Sequence, residues 1–167
     1  MGPKSQSDRN GELKTTNEPV LIFEDSDEDF EVTVAAMRLA NMRSPVVRCA
    51  NEREALQFLQ RQGRFEGMQR PSLAILDLNL AGADGRRLLR QFRQTEWLHS
   101  VPICVLTTSS NPADVELCYE TGGNAYLVKP VNLERFEAMV LNLVTFWFDT
   151  AVLPGSGRKD RDVTISH

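Results

Sequence analysis

The run Leu73-Ala74-Ile75-Leu76-Asp77 is an unbroken apolar stretch that ends in a carboxylate. Three further apolar runs also lead into polar side chains: residues 20–23 into Glu24 and Asp25, residues 103–106 into Thr107, and residues 126–128 into Lys129. Near-continuous apolar runs are typical of strands that are buried on both faces of a sheet. If these strands are parallel neighbours, their carboxyl ends meet at one edge, where open α/β folds bind ligands. The sequence therefore predicts one site built from distant parts of the chain.

Helical patterns separate the apolar runs. The predicted strands are residues 20–24, 46–49, 73–77, 102–106 and 125–128, and the predicted helices are about residues 27–41, 51–62, 84–94, 112–121 and 132–149. Asn51, Asp84 and Asn132 are predicted N-caps, and Pro112 suits a first helical turn. Strands that alternate with helices favour right-handed crossovers and a parallel sheet covered on both faces. The sequence predicts an α/β fold of five successive βα units.

Length and charge restrict the possible classes of protein. The chain has 167 residues, of which 41% are hydrophobic, which fits one ordinary domain. We expect residues 1–18 to be a flexible N-terminal tail, residues 19–150 to form the domain, and residues 151–167 to be a C-terminal arm and polar tail. The net charge of −4 lacks the basic surplus of proteins that bind nucleic acid.

Cysteine usage and hydropathy indicate the compartment. Cys49, Cys104 and Cys118 are odd in number, and we expect buried free thiols in a reducing compartment. The chain begins without an apolar signal segment, and no run approaches the roughly 18 apolar residues of a membrane span. We therefore expect a soluble cytoplasmic protein that binds neither nucleic acid nor a membrane.

Asp25 and Asp77 are the first candidates for chemistry. Mg²⁺ prefers octahedral oxygen ligands and is usually held by one or two carboxylates together with carbonyl and phosphate oxygens. Asp77 could then attack a phosphoryl group and become an acyl phosphate, with Lys129 pairing with the phosphoryl oxygens and the Thr107 hydroxyl donating a hydrogen bond. A cis peptide between Lys129 and Pro130 is predicted, because a tight turn would aim the ammonium across the strand ends.

Two other groups of charged residues are interpreted as solvent-facing. Asp27, Glu28 and Asp29 follow the first strand and suit the first turn of a helix, where the helix dipole favours acids. A basic stripe on the third predicted helix is interpreted as its solvated face, and it consists of Arg86, Arg87, Arg90 and Arg93.

Four motifs together resemble the receiver domain of two-component response regulators. They are Leu21-Ile22-Phe23-Glu24-Asp25-Ser26, Ile75-Leu76-Asp77-Leu78-Asn79-Leu80 leading to Ala83-Asp84-Gly85, Thr107-Thr108-Ser109-Ser110, and Tyr126-Leu127-Val128-Lys129-Pro130. The resemblance covers about residues 18–148 and implies a flavodoxin-like (βα)5 doubly wound parallel sheet of strand order 2-1-3-4-5. It implies that Asp77 accepts phosphate from a histidine kinase and that Thr107 and Tyr126 are switch residues. It also implies a Mg²⁺ site formed by Glu24, Asp25, Asp77 and the backbone carbonyl of Asn79.

The end of the last helix is similar to a narrower group within that family. The stretch Thr145-Phe146-Trp147-Phe148-Asp149-Thr150, followed by Val152-Leu153-Pro154, resembles the small single-domain regulators that serve phytochrome histidine kinases in cyanobacteria and other bacteria. This resemblance implies a red-light sensor kinase as the phosphodonor and a homodimer. Surplus aromatic residues on an exposed face are typical of interfaces, and the predicted dimer residues are Phe146, Trp147, Phe148 and Leu153.

Two other functions remain open. An Asp-nucleophile phosphatase of the haloacid dehalogenase type needs a second aspartate two residues after the nucleophile, but Asn79 has that place and cannot perform general acid–base catalysis. A receiver-like binding module that is not phosphorylated would have no need of Asp25, Asp77, Thr107 and Lys129 together. The predicted function is a signalling receiver with Mg²⁺ as cofactor, which catalyses only its own phosphotransfer and dephosphorylation.

Overall fold

The computed structural model describes residues 16–155, and these form a central parallel sheet with helices on both faces. The strands are β1 (Val20–Phe23), β2 (Val46–Cys49), β3 (Leu73–Leu76), β4 (Ile103–Thr107) and β5 (Ala125–Val128). They pair in the order β2-β1-β3-β4-β5, and every pair is parallel. The predicted doubly wound sheet and its strand order are confirmed. Most of the predicted N-terminal tail and residues 156–167 lie outside the described residues.

Each strand is followed by a helix that begins at a polar N-cap. The helices are α1 (Asp27–Leu39), α2 (Glu52–Leu59), α3 (Gly85–Gln94), α4 (Pro112–Glu120) and α5 (Leu133–Thr145). A side-chain oxygen accepts a first-turn backbone N–H at every start, and the capping residues are Ser26, Asn51, Asp84, Asn111 and Asn132. These bonds satisfy donors that have no partner inside the helix. None of the helices within residues 16–155 is long and apolar enough to cross a membrane.

Alternate strand residues supply two hydrophobic cores, one on each face of the sheet. On the face that α2, α3 and α4 cover, the Phe23 ring makes edge-to-face contacts with Phe58 and Phe92, each with ring centroids 6.3 Å apart. On the opposite face, Ile22 belongs to the core that includes Met37 of α1 and other buried residues of α5. Successive strand residues point to opposite faces, so burying both faces requires continuous apolar runs.

Gly85 fixes the path of the loop between β3 and α3. A Cβ atom on Gly85 would overlap the backbone of Leu78, and the Gly85 N–H donates to the Leu78 carbonyl oxygen at 3.1 Å. Only glycine permits such a close approach of two backbones. The loop that follows Asp77 is therefore held against the start of α3.

The last helix ends earlier than predicted and widens. Residues Phe146–Thr150 form a π-helical turn, in which the Ala151 N–H donates to the Phe146 carbonyl oxygen at 2.7 Å. The extra residue per turn lets two neighbours, Trp147 and Phe148, both pack toward the sheet. Trp147 Nε1 lies 3.1 Å from the Cys104 sulfur, to which it donates a hydrogen bond. This turn closes the core on the α1 and α5 face.

The same turn divides the four predicted dimer residues into two pairs. Phe148 and Leu153 are buried in the core of their own chain, with 2% and 6% of their surface exposed. Phe146 is 52% exposed, and Trp147 is half-buried beside it. The placement of Phe148 and Leu153 on an outer surface is thus not what the structure shows, because they fill the space under the π-helical turn.

The three cysteines are buried free thiols, as predicted. Burial raises the pKa of Cys49 and Cys104 to about 12 and that of Cys118 to about 11. These thiols therefore stay protonated at neutral pH and pack as small apolar groups.

Candidate functional site

The carboxyl ends of β1, β3, β4 and β5 meet at one edge of the sheet, as predicted, and Lys129 connects them. Its Nζ donates to Glu24 Oε2 at 2.6 Å and to Asp77 Oδ2 at 2.9 Å. These partners lie 105 and 52 residues away in sequence. The ammonium is thus held between the residues that follow β1 and β3.

A third carboxylate, that of Asp29, also binds this ammonium. Asp29 Oδ2 accepts from Lys129 Nζ at 2.7 Å, so all three N–H groups of the amine have carboxylate partners. The Lys129 side chain is only 4% exposed and that of Asp29 is 33% exposed. The interpretation of Asp29 as a solvated acid is wrong, because its position in the first turn of α1 directs the side chain at the strand ends. We call Glu24, Asp29, Asp77 and Lys129 the Lys129 cluster.

Burial and pairing shift two of the pKa values in this cluster in the same direction. Burial alone would lower the pKa of Lys129, but hydrogen bonds to Asp29, Glu24 and Asp77 outweigh it and raise the pKa above its usual value. The pKa of Glu24 is also raised, because burial disfavours its charged form more than Lys129 favours it. The ammonium therefore stays charged over the physiological pH range.

Three carboxylates beside the cluster fit a divalent cation. Oxygens of Glu24, Asp25 and Asp77 all lie within 4.8 Å of one another. Backbone N–H groups orient two of them, with Ser26 donating to Glu24 Oε1 and Asn79 donating to Asp77 Oδ1, each at 3.0 Å. Oxygen donors of this kind suit Mg²⁺ and similar hard cations. The residues present can thus hold the ion that the sequence predicts.

The peptide between Lys129 and Pro130 is trans, so the predicted cis bond is wrong. The direction of Lys129 follows instead from strand pairing, because its backbone N–H donates to the Thr107 carbonyl oxygen at 2.7 Å and continues the pairing of β4 with β5. The side chain then reaches the carboxylates from the end of β5.

Hydroxyl groups after β4 face the loop after β3. Thr107 is fully buried, and Asn79 Nδ2 lies 3.4 Å from Thr107 Oγ1 and 3.2 Å from Thr108 Oγ1. The Ser109 N–H donates to Thr107 Oγ1 at 3.4 Å. The structure therefore places the predicted hydroxyl of Thr107 next to the loop that carries Asp77.

Tyr126 is tied to the same loop. Its hydroxyl donates to the Ser109 carbonyl oxygen at 2.8 Å, and burial raises the pKa of the phenol. Ser109 thus contacts both Thr107 and Tyr126, the two predicted switch residues.

A second cluster of charged groups braces this loop from the other side. Arg86 binds Asp114 through two hydrogen bonds of 2.5 and 2.6 Å, and Ser109 Oγ donates to Asp114 at 2.6 Å. Arg86 holds the pKa of the Asp114 carboxyl below its usual value. The interpretation of the basic stripe as a solvated face is therefore wrong for Arg86. It is also wrong for Arg93, which donates to the carbonyl oxygens of Gly122, His99 and Val101. We call Arg86, Ser109 and Asp114 the Asp114 cluster.

Arg48 is a site residue that the sequence analysis missed. Its guanidinium donates to the carbonyl oxygens of Glu24 and Asp25, at 2.9 and 3.1 Å, and lies over the Phe30 ring. It also forms an ion pair with Asp27. The available signal was a single charged residue inside the otherwise apolar strand 46–49. Arg48 fixes the backbone from which the acidic side chains project.

Residues 20–141 match the family model described as the response regulator receiver domain. The chain belongs to the response regulator receiver family. This receiver is 36% identical over 137 residues to the response regulator Rcp1 of Synechocystis sp. (strain ATCC 27184 / PCC 6803 / Kazusa), which covers 82% of this chain and 93% of that protein. It also resembles the crystal structure of the phosphorylated cyanobacterial phytochrome response regulator RcpA, with 31% identity and a TM-score of 0.78 over 83% of this chain and 99% of that one. The Mn²⁺-bound form of Rcp1 is similar at 36% identity and a TM-score of 0.78, over 82% and 99% of the two chains.

These similarities confirm the predicted family and its resemblance to single-domain phytochrome regulators. The receiver is a two-component signalling protein, and phosphorylation-dependent signalling fits the residues at its strand ends. A haloacid dehalogenase-type phosphatase is not favoured, since the place of its second aspartate is held by Asn79, whose amide faces Thr107 and Thr108. A binding module without phosphorylation is not favoured either.

Proposed function

We propose that this receiver accepts a phosphoryl group on the Asp77 carboxylate from a sensor histidine kinase. The observation that carries the proposal is the contact of 2.9 Å between the Lys129 ammonium and Asp77 Oδ2 at the end of β3. A carboxylate oxygen of Asp77 forms the bond to phosphorus while the bond from phosphorus to the donor histidine nitrogen breaks. The nitrogen keeps the electron pair of that bond, and Asp77 becomes an acyl phosphate.

Two side chains of the receiver stabilise the transferred group. The Lys129 ammonium turns its N–H from Asp77 to a phosphoryl oxygen, and the Thr107 hydroxyl donates to another. We assign the metal site to Glu24, Asp25, Asp77 and the Asn79 backbone carbonyl. Bound there, Mg²⁺ would offset the negative charge between the carboxylates and the phosphoryl oxygens. The Mn²⁺-bound form of Rcp1 supports a divalent cation in this family.

Phosphorylation then acts on the loop after β4. It adds about two negative charges beside Lys129 and Thr107. Thr107 moves toward the phosphoryl group, and because Ser109 contacts both Thr107 and the Tyr126 hydroxyl, Tyr126 changes position with it. The surface formed by α4, β5 and α5 repacks as a result, which is the output of the switch.

A phytochrome histidine kinase is the proposed phosphodonor. The names of the relatives support this assignment, since RcpA is a phytochrome response regulator. Incubation with radiolabelled phytochrome kinases from the same source is expected to transfer label to the receiver within seconds to minutes. Transfer only from kinases of other classes would contradict the assignment. The cytoplasmic location stays a prediction from the sequence.

Chemical phosphorylation tests the acceptor directly. We expect acetyl phosphate with Mg²⁺ to label the wild-type receiver and to leave Asp77→Asn unlabelled. Asp84→Asn is a matched control, because it makes the same chemical change at an N-cap where asparagine also caps well. Equal labelling of wild type and Asp77→Asn would contradict the proposal.

A homodimer through the end of α5 is the proposed assembly. Phe146 is half exposed and lies beside Trp147, and both line a cavity of about 530 Å³ along β5 and α5 that Leu127, Met139 and Leu143 also line. A second copy of the chain could cover these apolar side chains. Sedimentation at micromolar concentration is expected to show a dimer for wild type and a monomer for Phe146→Ser. A monomeric wild type, with and without acetyl phosphate, would contradict it.

A further inference from the structure

We infer that Asp29 is a positioning residue for the Lys129 ammonium. It keeps the ammonium in place for the phosphoryl group when a cation shares Glu24 and the phosphoryl group occupies Asp77. This inference rests on the proposed function of Asp77 as phosphoacceptor. Asp29 lies in α1, and its carboxylate binds the Lys129 ammonium rather than the acceptor Asp77.

The geometry of the Lys129 amine determines where its N–H groups point. Lys129 Nζ has three N–H groups and three carboxylate partners, at 2.6, 2.7 and 2.9 Å. Two bonds, to Glu24 and Asp29, fix the nitrogen in space. The third bond, to Asp77, is the one that a phosphoryl oxygen replaces. A fixed nitrogen with one N–H directed at the acceptor is the arrangement that reduces the entropy lost in the transition state.

Other groups compete for the carboxylate partners of the Lys129 ammonium. Among the described residues, the carboxylates whose oxygens lie within 4.8 Å of one another are Glu24, Asp25 and Asp77. Glu24 therefore belongs both to the acidic group that can hold a cation and to the Lys129 cluster. Asp29 belongs to the Lys129 cluster alone. It is the partner that the ammonium keeps when Glu24 is shared and when Asp77 is phosphorylated.

The Asp29 carboxylate has a role that differs from ordinary helix capping. The N–H that Ser26 Oγ accepts at 3.2 Å is the backbone N–H of Asp29, and the Asp29 carbonyl oxygen accepts from Thr33 Oγ1. Both bonds use the backbone of Asp29, so these hydrogen bonds at the helix start do not involve its carboxylate. The carboxylate is left with the ammonium as its partner in the cluster.

The first test measures the rate of labelling by acetyl phosphate with saturating Mg²⁺. Asp29→Ala is expected to slow labelling of Asp77 by about fivefold to tenfold, near the lower limit for a charge-assisted hydrogen bond because Asp29 is one third exposed. Asp29→Asn keeps an oxygen acceptor without the charge and should lie between Asp29→Ala and wild type. Glu28→Ala is the matched control, since it removes an exposed acid from the same helical turn, and it should stay within about twofold of wild type.

The second test asks whether the effect passes through Lys129. In a Lys129→Met background, Asp29→Ala is expected to change the labelling rate by less than about twofold, because the amine that it positions is gone. A loss of equal size in both backgrounds overturns the inference. Unchanged or faster labelling of Asp29→Ala in the protein that keeps Lys129 also overturns the inference. If labelling still requires Asp77 in that case, the proposed function stays intact.

A spectroscopic test covers the case in which the proposed function fails. The ¹H–¹⁵N NMR signal of the Lys129 ammonium is expected to shift, and its hydrogens to exchange faster with water, in Asp29→Asn but not in Glu28→Gln. If wild type and Asp77→Asn label equally, the proposed function is wrong and the inferred role in phosphotransfer falls with it. An unchanged ammonium signal in Asp29→Asn overturns the positioning role itself. Asp29→Asn is nearly isosteric, and thermal unfolding verifies that each variant folds.

Discussion

The Lys129 cluster and the Asp114 cluster both pair a cationic side chain with carboxylate chemistry, but their charge balance differs. In the first, one ammonium faces three carboxylates at 2.6 to 2.9 Å. In the second, one carboxylate faces one guanidinium and one hydroxyl at 2.5 to 2.6 Å. The Lys129 cluster therefore carries surplus negative charge that attracts a cation, whereas in the Asp114 cluster the charges of Arg86 and Asp114 balance.

Position in the fold explains why only one cluster is suited to chemistry. The Lys129 cluster lies at the carboxyl ends of parallel strands, where open α/β sheets bind their ligands. The Asp114 cluster connects α3 with α4, and the Asp114 carboxylate accepts from both Nε and Nη2 of Arg86. In this receiver, the surplus of carboxylates coincides with the candidate site, whereas the balanced pair of Arg86 and Asp114 connects two helices.

The largest expected effect is that of Lys129→Met. This substitution removes the ammonium from three neighbouring carboxylates, two of which are buried. We therefore expect the free energy of unfolding to fall by about 3 kcal/mol at pH 7 in the presence of a chelator. Urea unfolding measures the loss. Arg87→Met is the control, because Arg87 forms an exposed ion pair with Glu52 that contributes less than about 0.5 kcal/mol. Equal effects of the two substitutions would remove the distinction between cluster and surface pair.

Arg86→Gln is expected to have the next largest effect, on stability rather than on chemistry. The bidentate pair with Asp114 is partly exposed, so we expect a loss of about 1 kcal/mol in urea unfolding. Labelling by acetyl phosphate should stay within about twofold of wild type, because the Asp114 cluster contacts neither Asp77 nor Lys129. Arg87→Gln serves as the control. A tenfold loss of labelling would show that the brace takes part in phosphotransfer.

The two clusters should respond to pH in opposite ways. Asp114 has a lowered pKa in the folded protein. Its contribution to the free energy of unfolding is therefore complete above the usual pKa of 3.8, and it disappears as pH falls through the folded-state pKa. The pKa of Glu24 is raised above 4.5, so ionising it costs stability as pH rises through the folded-state value. Without divalent cation, Asp114→Asn should match wild type only at low pH.

Glu24→Gln should show the opposite pH dependence to Asp114→Asn. Its free energy of unfolding should increase relative to that of wild type as pH rises above about 4.5. Each difference is expected to be about 1 kcal/mol or less. Urea unfolding between about pH 2.5 and 7 measures stability against pH for both variants, since this range brackets the usual carboxyl pKa of roughly 4. Parallel curves for the two variants would contradict the comparison.

Tyr126→Phe is expected to have the smallest effect. It removes one hydrogen bond to the Ser109 carbonyl oxygen, which contributes about 0.5 kcal/mol to stability. Tyr119→Phe is a matched control, since Tyr119 is 53% exposed and should be insensitive to the change. A larger loss in Tyr126→Phe than in Arg86→Gln would show that the tyrosine, and not the Asp114 cluster, is the main support of the loop.

The sequence was sufficient for the parts of the fold and site that depend on strand position. Continuous apolar runs predicted strands buried on both faces, and the residues at their ends had to meet once the strands were parallel and neighbours. Asp77 and Lys129 were found in this way, although 52 residues separate them. The N-caps at Asn51, Asp84 and Asn132 were equally predictable, since each bond there joins residues two or three apart.

The remaining site residues depend on the direction of a helical side chain or on a partner elsewhere. Asp29 could not be separated from Asp27 and Glu28 without knowing which side of α1 faces the strand ends. Arg86 pairs with Asp114 across two helices, and no spacing in the sequence indicates that contact. The burial of Phe148 could not be predicted either, because the helical period changes at the π-helical turn.

The contact between Trp147 and Cys104 gives this receiver an optical reporter of its own. A thiol at 3.1 Å from the indole nitrogen quenches tryptophan emission, and Cys104 lies on the same strand as Thr107. Any displacement of that strand relative to the final helix alters the quenching. With Trp97 replaced by phenylalanine, the fluorescence of the single remaining tryptophan would follow the switch in real time, without an added dye.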